Sequence, residues 1–550
     1  MRQRIFYGDE ARERKLMGLN ALADAMEVAY GPMGGNATIE REYYDPINTH
    51  DGVTIANAIE LEDGDDSQLG WKVGAEIAKR GANNLNVLTA DGTTTVVVLT
   101  RAIAREAHRL IVAGNNAQEV RKGIEDAGAQ VLALLDEIGE KITADSIRVE
   151  QVATVSAGGD KEIGKLIAEI IGKIGADGSI TVEATQATKP LDKEITEGFA
   201  FDYGMITPAF ITDETKREAQ FESSAVILYN EHINESDELI PLINKVLSTG
   251  TKNIILFAAG VEKEVTRTLS DFKVNGHLNP VIIKAPATDE LRRNLFADLA
   301  LFTGGTVLSS AANADSSDVF TLANAELAQV GRVDKAIIGQ DESILIDGSG
   351  NKKAIAAQIK KLKTAEYEDE YTRNIAEKRA ATLGGKVAII RIGGITETEI
   401  GERKDRVDDA VGTAQAALKE GIVAGGGVTL AVLAGRIKYK HGVSDAHKAG
   451  ITAVKNALEY PFTKILRNAN LKAEALLEKV ISENTSYTTP VHGVNVMFGN
   501  GVMNLLDAGI VDAKLVTKEV VRNAISLAAV DATTGVLIVN VPIKSIANDA

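Results

Sequence analysis

Asp91 is followed by Gly92 and three threonines, Thr93, Thr94 and Thr95, which lead into the apolar run Val96 to Leu99. The pattern predicts a turn at Ala90-Asp91-Gly92 and a helix that starts directly after it. A helix N-terminus carries unpaired backbone N–H groups and the positive end of the helix dipole, so it favours a phosphate. Threonine hydroxyls add donors, and the Asp91 carboxylate is suited to the Mg2+ that accompanies a polyphosphate. Taken alone, the same residues also describe an ordinary Asp/Thr cap on a structural helix.

Three more places hold residues that could join Asp91. The breaker cluster Gly31-Pro32-Met33-Gly34-Gly35 would let backbone approach a ligand closely. Asp51 lies in the tight turn Thr49-His50-Asp51-Gly52. Arg406-Val407-Asp408-Asp409-Ala410 sets two carboxylates side by side on a predicted helix, so that one can face a ligand while the other faces solvent. A carboxylate that orients or deprotonates water is what phosphoryl transfer to water requires. The following Gly425-Gly426-Gly427 reads either as a helix C-cap with close packing or as a nucleotide contact. There is no Walker A motif, no Gly-x-Ser-x-Gly elbow and no His-Glu-x-x-His pair, and the seven histidines show no ligand spacing.

The elements that must position these residues follow from composition and pattern. At 550 residues the chain exceeds a single core, and about three domains are expected. Aromatics are only 4% and Trp71 is the sole tryptophan, so the cores rest on Ala, Val, Ile and Leu. A net charge of −17 argues against nucleic acid or an anionic membrane as partner. With no cysteine, disulfides, thiolate chemistry and Cys-ligated metals are excluded. The opening residues lack the apolar core of a signal peptide and no long charge-free apolar run could span a bilayer, so the cytoplasm is the expected location.

Residues 11 to 30 read as an amphipathic helix with Leu16, Leu19, Ala23, Met26 and Tyr30 on one stripe. A short extended piece follows (Ala37 to Glu42), and Gln68 to Gly139 is almost wholly helical. Between about 197 and 385 short strands such as Ala225 to Tyr229, Asn253 to Phe257 and Pro280 to Lys284 alternate with helices, as in an α/β module. A charged helical stretch, Lys352 to Arg379, closes it, Val387 to Ile392 returns as a strand, and helix dominates again from Arg406. The simplest architecture is an α+β multidomain chain that goes out and comes back, its two helical ends packing into one domain.

Together and in this order, these segments resemble a group I chaperonin of the GroEL type, from end to end. The resemblance is carried by Leu22 to Ala25 with Tyr30-Gly31-Pro32, Asp51-Gly52-Val53, Asp91 to Thr95, Gly164 to Glu169, Leu301 to Val307, Arg406 to Ala410, Glu420 to Val428 and Asp507 to Asp512. It implies a helical equatorial ATPase domain from both chain ends (1–138 and 420–550), a small α/β intermediate domain (139–196 and 387–419) and an α/β apical domain (197–386). It also implies homo-oligomeric rings, heptameric and single or double, that enclose non-native protein clients, with ATP, Mg2+ and K+ as cofactors and a GroES-type co-chaperonin as lid. By that resemblance Asp91 would hold Mg2+ and the backbone of Gly92, Thr93, Thr94 and Thr95 would cradle phosphates. Asp409 would activate the attacking water with Asp51 assisting, and Tyr30, Gly31, Pro32, His50, Gly426, Asn495 and Asp512 would line the nucleotide pocket. Met205, Thr207, Phe210, Ile240 and Ile243 would supply the client-binding groove.

The chain departs from the family pattern in several places. His50 stands where the family has Lys, Met33 replaces another basic residue, and Ala90 takes the place of a Gly. Thr266, Ser270 and Asp271 occupy positions that are usually aliphatic on the apical helix facing the groove. Tyr203 replaces an Arg expected to pair with Glu397 across subunits, while Asp160 and Arg406 remain able to pair within one. Thr463 and Lys472 replace an Arg–Glu pair between rings, so a single-ring assembly stays open. The rival reading is a passive protein-binding ring or holdase with impaired hydrolysis; the presence of Asp51, Asp91 and Asp409 together favours an active ATPase.

Overall fold

The computed structural model describes residues 2–541 except 42–43, 62–66, 176–177, 186–188, 215, 287, 310–319, 366–369, 486–487 and 500. The chain forms two compact units, one built from 1–176, 182–192 and 391–550, the other from 177–181 and 193–390. Each is held by its own core.

The first unit is helical. Its centre is the helix Thr93–Val112, which buries Val96, Val97, Val98, Leu99, Ile103 and Ala107 and packs against the helices Ala117–Glu137, Asp445–Leu458 and Lys514–Ala532. With few aromatics available, the helices approach by means of small residues. A Cβ on Gly123 would lie 2.0 Å from the His447 carbonyl, and one on Gly450 would lie 2.1 Å from the Val120 carbonyl. The crossing of Ala117–Glu137 with Asp445–Leu458 tolerates a side chain at neither position.

The two chain ends meet directly. The strand Arg2–Tyr7 pairs antiparallel with Val536–Val541, from Arg2 opposite Val541 to Tyr7 opposite Val536. The sequence reading missed both strands. The first amphipathic helix begins earlier than expected and ends at Glu27, leaving Tyr30 in the turn beyond it, and Lys15 rather than Leu16 is buried, paired with Asp531 at 2.7 Å. Three short ribbons complete the unit: Ala37–Arg41 with Tyr44–Thr49, Ile422–Ala424 with Val511–Ala513, and His492–Val494 with Val502–Asn504.

The second unit is built on a mixed sheet. Leu191–Phe201, Ser343–Gly348, Gly331–Ile338 and Ala219–Ile233 run antiparallel to one another in that spatial order. Asn253–Val261 and Asn279–Lys284 then add in parallel beside Ala219–Ile233, joined through the helices Ile240–Ser248 and Lys263–Val274. The three parallel strands are near-continuous apolar runs, as expected of strands covered on both faces. Phe199, Phe201, Phe257, Phe296 and Phe302 fill the core around them. The expected single stretch Lys352 to Arg379 is two helices, Lys352–Thr364 and Glu370–Leu383. The second of these is fixed by a two-pronged ion pair from Arg379 to Asp298.

Candidate functional site

The site lies within the helical unit, where the helix Trp71–Thr89 gives way to Thr93–Val112. Ala90 closes the first helix in the left-handed conformation (φ 55°), and Gly92 opens the second at φ 82°. Ala in this region carries a conformational cost that Gly would not. Gly92 offers no capping side chain, so the N–H groups of Thr93, Thr94 and Thr95 have no intrahelical partner. A second helix start faces the same place. Asp51 caps Gly52–Ala58 by accepting from the Val53 N–H at 3.3 Å and the Thr54 N–H at 2.7 Å. A Cβ on Gly52 would stand 2.2 Å from the Thr94 hydroxyl and 3.1 Å from the Thr94 nitrogen, so only glycine allows the two N-termini to come this close.

Asp91 accepts three hydrogen bonds. One carboxylate oxygen accepts the Gly92 N–H at 2.5 Å; the other accepts the hydroxyls of Ser156 at 2.9 Å and Thr413 at 2.7 Å. Ser156 ends the helix Ile147–Ser156 and Thr413 lies in the helix Glu397–Glu420, which also carries Asp409. Asp409 is enclosed by acids. Burial above all, then the charges of Asp91 and Asp51, then Asp405 and Asp408, push its carboxyl well above the usual carboxylate range. Part of its surface still faces solvent, so the carboxyl is partly enclosed and repelled rather than sealed in the core. Asp408 points elsewhere and pairs with Lys404 at 3.5 Å. The side-by-side acids divide as their helical positions require.

The glycine turn closes another wall. Gly426 and Gly427 adopt φ 66° and 77°, and a Cβ on Gly426 would meet open space. Their N–H groups donate to Asp512, which stands opposite Val423 in the short ribbon. Burial and the charge of Asp91 nevertheless raise the Asp512 carboxyl to about 7. Tyr30 shares a hydrogen bond with Thr95 at 3.1 Å; burial chiefly, with Asp512 and Asp91 nearby, pushes its phenol above the ordinary value. Asp51, Asp91, Asp409, Asp512, Tyr30 and Thr95 are thereby linked within one region.

The remaining expected residues make local contacts of their own. Gly31 (φ 81°) turns the chain so that Gly34 bonds back to it, and Pro32 is exposed on that turn. His50 meets Asn36 through Nδ1 at 3.2 Å. Asn495 accepts from the Met497 N–H at 3.0 Å, just after a strand whose Gly493 packs on Val428 beyond the glycine turn.

The uncapped start of Thr93–Val112 attracts an anion, the start of Gly52–Ala58 is already met by the Asp51 carboxylate, and the group of carboxylates attracts a cation. A magnesium polyphosphate satisfies both. The Asp91 carboxylate offers about four lone-pair positions, of which the three donors occupy three, leaving room for one metal bond. Among the described residues no group of three or more His, Asp or Glu side chains is arranged to hold a metal alone, so phosphate oxygens would complete the shell.

Sequence reasoning missed Ser156 and Thr413. Thr413 stands four residues after Asp409, a spacing that puts both on one face of a helix and was available as a signal. Ser156 carries no such mark. The expected pair of Asp160 and Arg406 is replaced by local bonds: Arg406 pairs with Glu402 and Asp160 caps the helix Lys161–Ile174. In the other unit, Met205, Phe210 and Ile243 lie in the core at 7%, 0% and 3% exposure and offer no surface in this conformation. Thr207 and Ile240 are partly exposed, beside the exposed Ile206.

The sequence matches the TCP-1/cpn60 chaperonin family over residues 22–532, and the chain belongs to that family. Its fold is similar to the crystal structure of the chaperonin gp146 from bacteriophage EL 2 (Pseudomonas aeruginosa) in the presence of ATP-BeFx. The two agree with a TM-score of 0.68 at 20% identity, over 98% of this chain and 99% of that one. Among the described residues, no helix is long and apolar enough to cross a membrane.

Proposed function

We propose that this chaperonin hydrolyses ATP at the Asp91 site and uses the cycle to enclose and fold non-native proteins inside a homo-oligomeric ring. The observation that carries the reading is geometric: Thr413, one helical turn after Asp409, donates to Asp91 at the start of Thr93–Val112, and Asp51 caps the helix whose Gly52 packs against Thr94, so three distant segments meet at one place. Asp91 would hold Mg2+, with the N–H groups of Thr93 to Thr95 on the phosphates and Asp512 near the ribose. Mg2+ held by Asp91 would neutralise phosphate charge and would offset the part of the Asp409 shift that comes from Asp91 and Asp51, the larger part being burial. Asp409 then accepts the proton of the attacking water while Asp51, held by its own helix cap, fixes the helix start beside it.

In this reading the helical ends form an equatorial domain, 139–196 with 387–419 an intermediate domain, and 197–386 an apical domain. Closure of the intermediate segment that carries Asp409 couples hydrolysis to the ring's motion. Group I, GroEL-type organisation, a heptameric ring, a K+ ion and a GroES-type lid extend the same proposal. The client surface is narrowed to Ile206, Thr207 and Ile240, with the exposed Val274 on the facing helix. The test is to measure ATP turnover alongside refolding of a chemically denatured client. Refolding that requires ATP and stops with a non-hydrolysable analogue supports the proposal; capture of the client without turnover supports a passive holdase and overturns it.

A further inference from the structure

Thr413, Ser156 and Asp91 form a triangle of oxygens, with edges of 2.7, 2.9 and 2.9 Å. Each hydroxyl carries one hydrogen, so the triangle has two protons for three edges. The carboxylate is the strongest acceptor, and both protons belong on it. The two hydroxyls thus spend their donors on one oxygen of Asp91, from two different helices. The approach is close by construction: a Cβ on Gly412 would lie 2.6 Å from the Ala90 Cβ and 2.9 Å from the Thr89 carbonyl. Thr413 follows Asp409 by one helical turn, so whatever fixes Thr413 also fixes the face that carries Asp409.

We infer that Thr413, assisted by Ser156, is a positioning residue: its hydroxyl docks the helix Glu397–Glu420 on Asp91 and so sets where Asp409 stands relative to the phosphate end. The inference rests on the ATPase reading above. It makes Asp91 do two things with its two oxygens, docking a helix with one and leaving room for a cation on the other. The interaction belongs to geometry rather than nucleotide affinity, because neither hydroxyl has a donor left for a ligand.

The experiment compares full-length wild type with Thr413→Val, Thr413→Ser, Ser156→Ala and Asp409→Ala. Thr413→Val keeps the branched shape and loses the donor, so kcat is expected to fall about tenfold or more while KM and ADP affinity stay within about twofold. Thr413→Ser restores most of the rate. In the nucleotide-free protein, amides of residues 405–415 exchange faster in Thr413→Val than in wild type, a readout independent of turnover. Should Thr413→Val fail to fold by circular dichroism, Ser156→Ala carries the same comparison with one donor removed. Unchanged kcat and exchange in these variants, or equal losses of rate and affinity that Thr413→Ser does not repair, overturn the inference. If wild type turns over ATP and Asp409→Ala does not, that failure leaves the ATPase reading standing; if wild type shows no turnover, reading and inference fall together.

Discussion

At the scale of the residue, one carboxyl allows a pH argument with a definite sign. Asp512 has its pKa raised from 3.8 to about 7 by burial and by Asp91. Between those values the folded protein holds a proton there that the unfolded chain does not, so this group's contribution to stability declines as pH rises through the window. Asp512→Asn keeps an oxygen to accept from Gly426 and Gly427 but has no proton to lose. Its melting temperature relative to wild type is therefore expected to be higher at pH 8 than at pH 5; an equal difference at both would contradict the shift. A second residue tests burial without titration. Arg101 is 2% exposed, pairs with Glu27 and Asp24, and donates to the Tyr460 hydroxyl at 2.7 Å. Arg101→Ala would leave buried Glu27 with Lys464 at 3.2 Å as its remaining cation and is expected to lower the thermal midpoint; an unchanged midpoint would show that Lys464 suffices. The acids were legible in the sequence because turn and helix-start chemistry marks Asp51 and Asp91. Ser156 was not, since one hydroxyl at a helix end looks like any other.

At the scale of the element, the helix Glu397–Glu420 lies so close to the turn after Trp71–Thr89 that only glycine fits at 412. Gly412→Ala would push Ala90 or the Thr89 carbonyl aside, an overpacking cost of about 1–3 kcal/mol. The expected result is a lower melting temperature and slower ATP turnover; a variant with wild-type values for both would show that the approach is loose. Long periodic helices such as Thr93–Val112 and the apolar strands around Ala225, Asn253 and Pro280 were readable because burial imposes a strong pattern on them. The terminal strands Arg2–Tyr7 and Val536–Val541 were not. Each pairs with a strand more than five hundred residues away, and no local signal records that pairing.

At the scale of the whole molecule, the terminal ribbon argues for association. One face buries Phe6, Leu537 and Val539, while the other leaves Ile5, Tyr7, Val536 and Ile538 exposed at 45%, 64%, 47% and 55%. A neighbouring subunit would cover such a face. Native mass measurement is expected to give a closed multiple of the chain, weakened by Ile538→Asp; a monomer unaffected by that change would contradict the ring. Thr463 and Lys472 leave single and double rings both open, and the same mass measurement with and without ATP decides between them. The central claim is that carboxylates from distant segments converge to hydrolyse ATP, and the most direct measurement is single-turnover hydrolysis by wild type and Asp409→Ala with nucleotide binding measured in parallel. The account predicts that Asp409→Ala binds ATP normally and hydrolyses it about a hundredfold or more slowly; an unchanged hydrolysis rate at equal occupancy would contradict it.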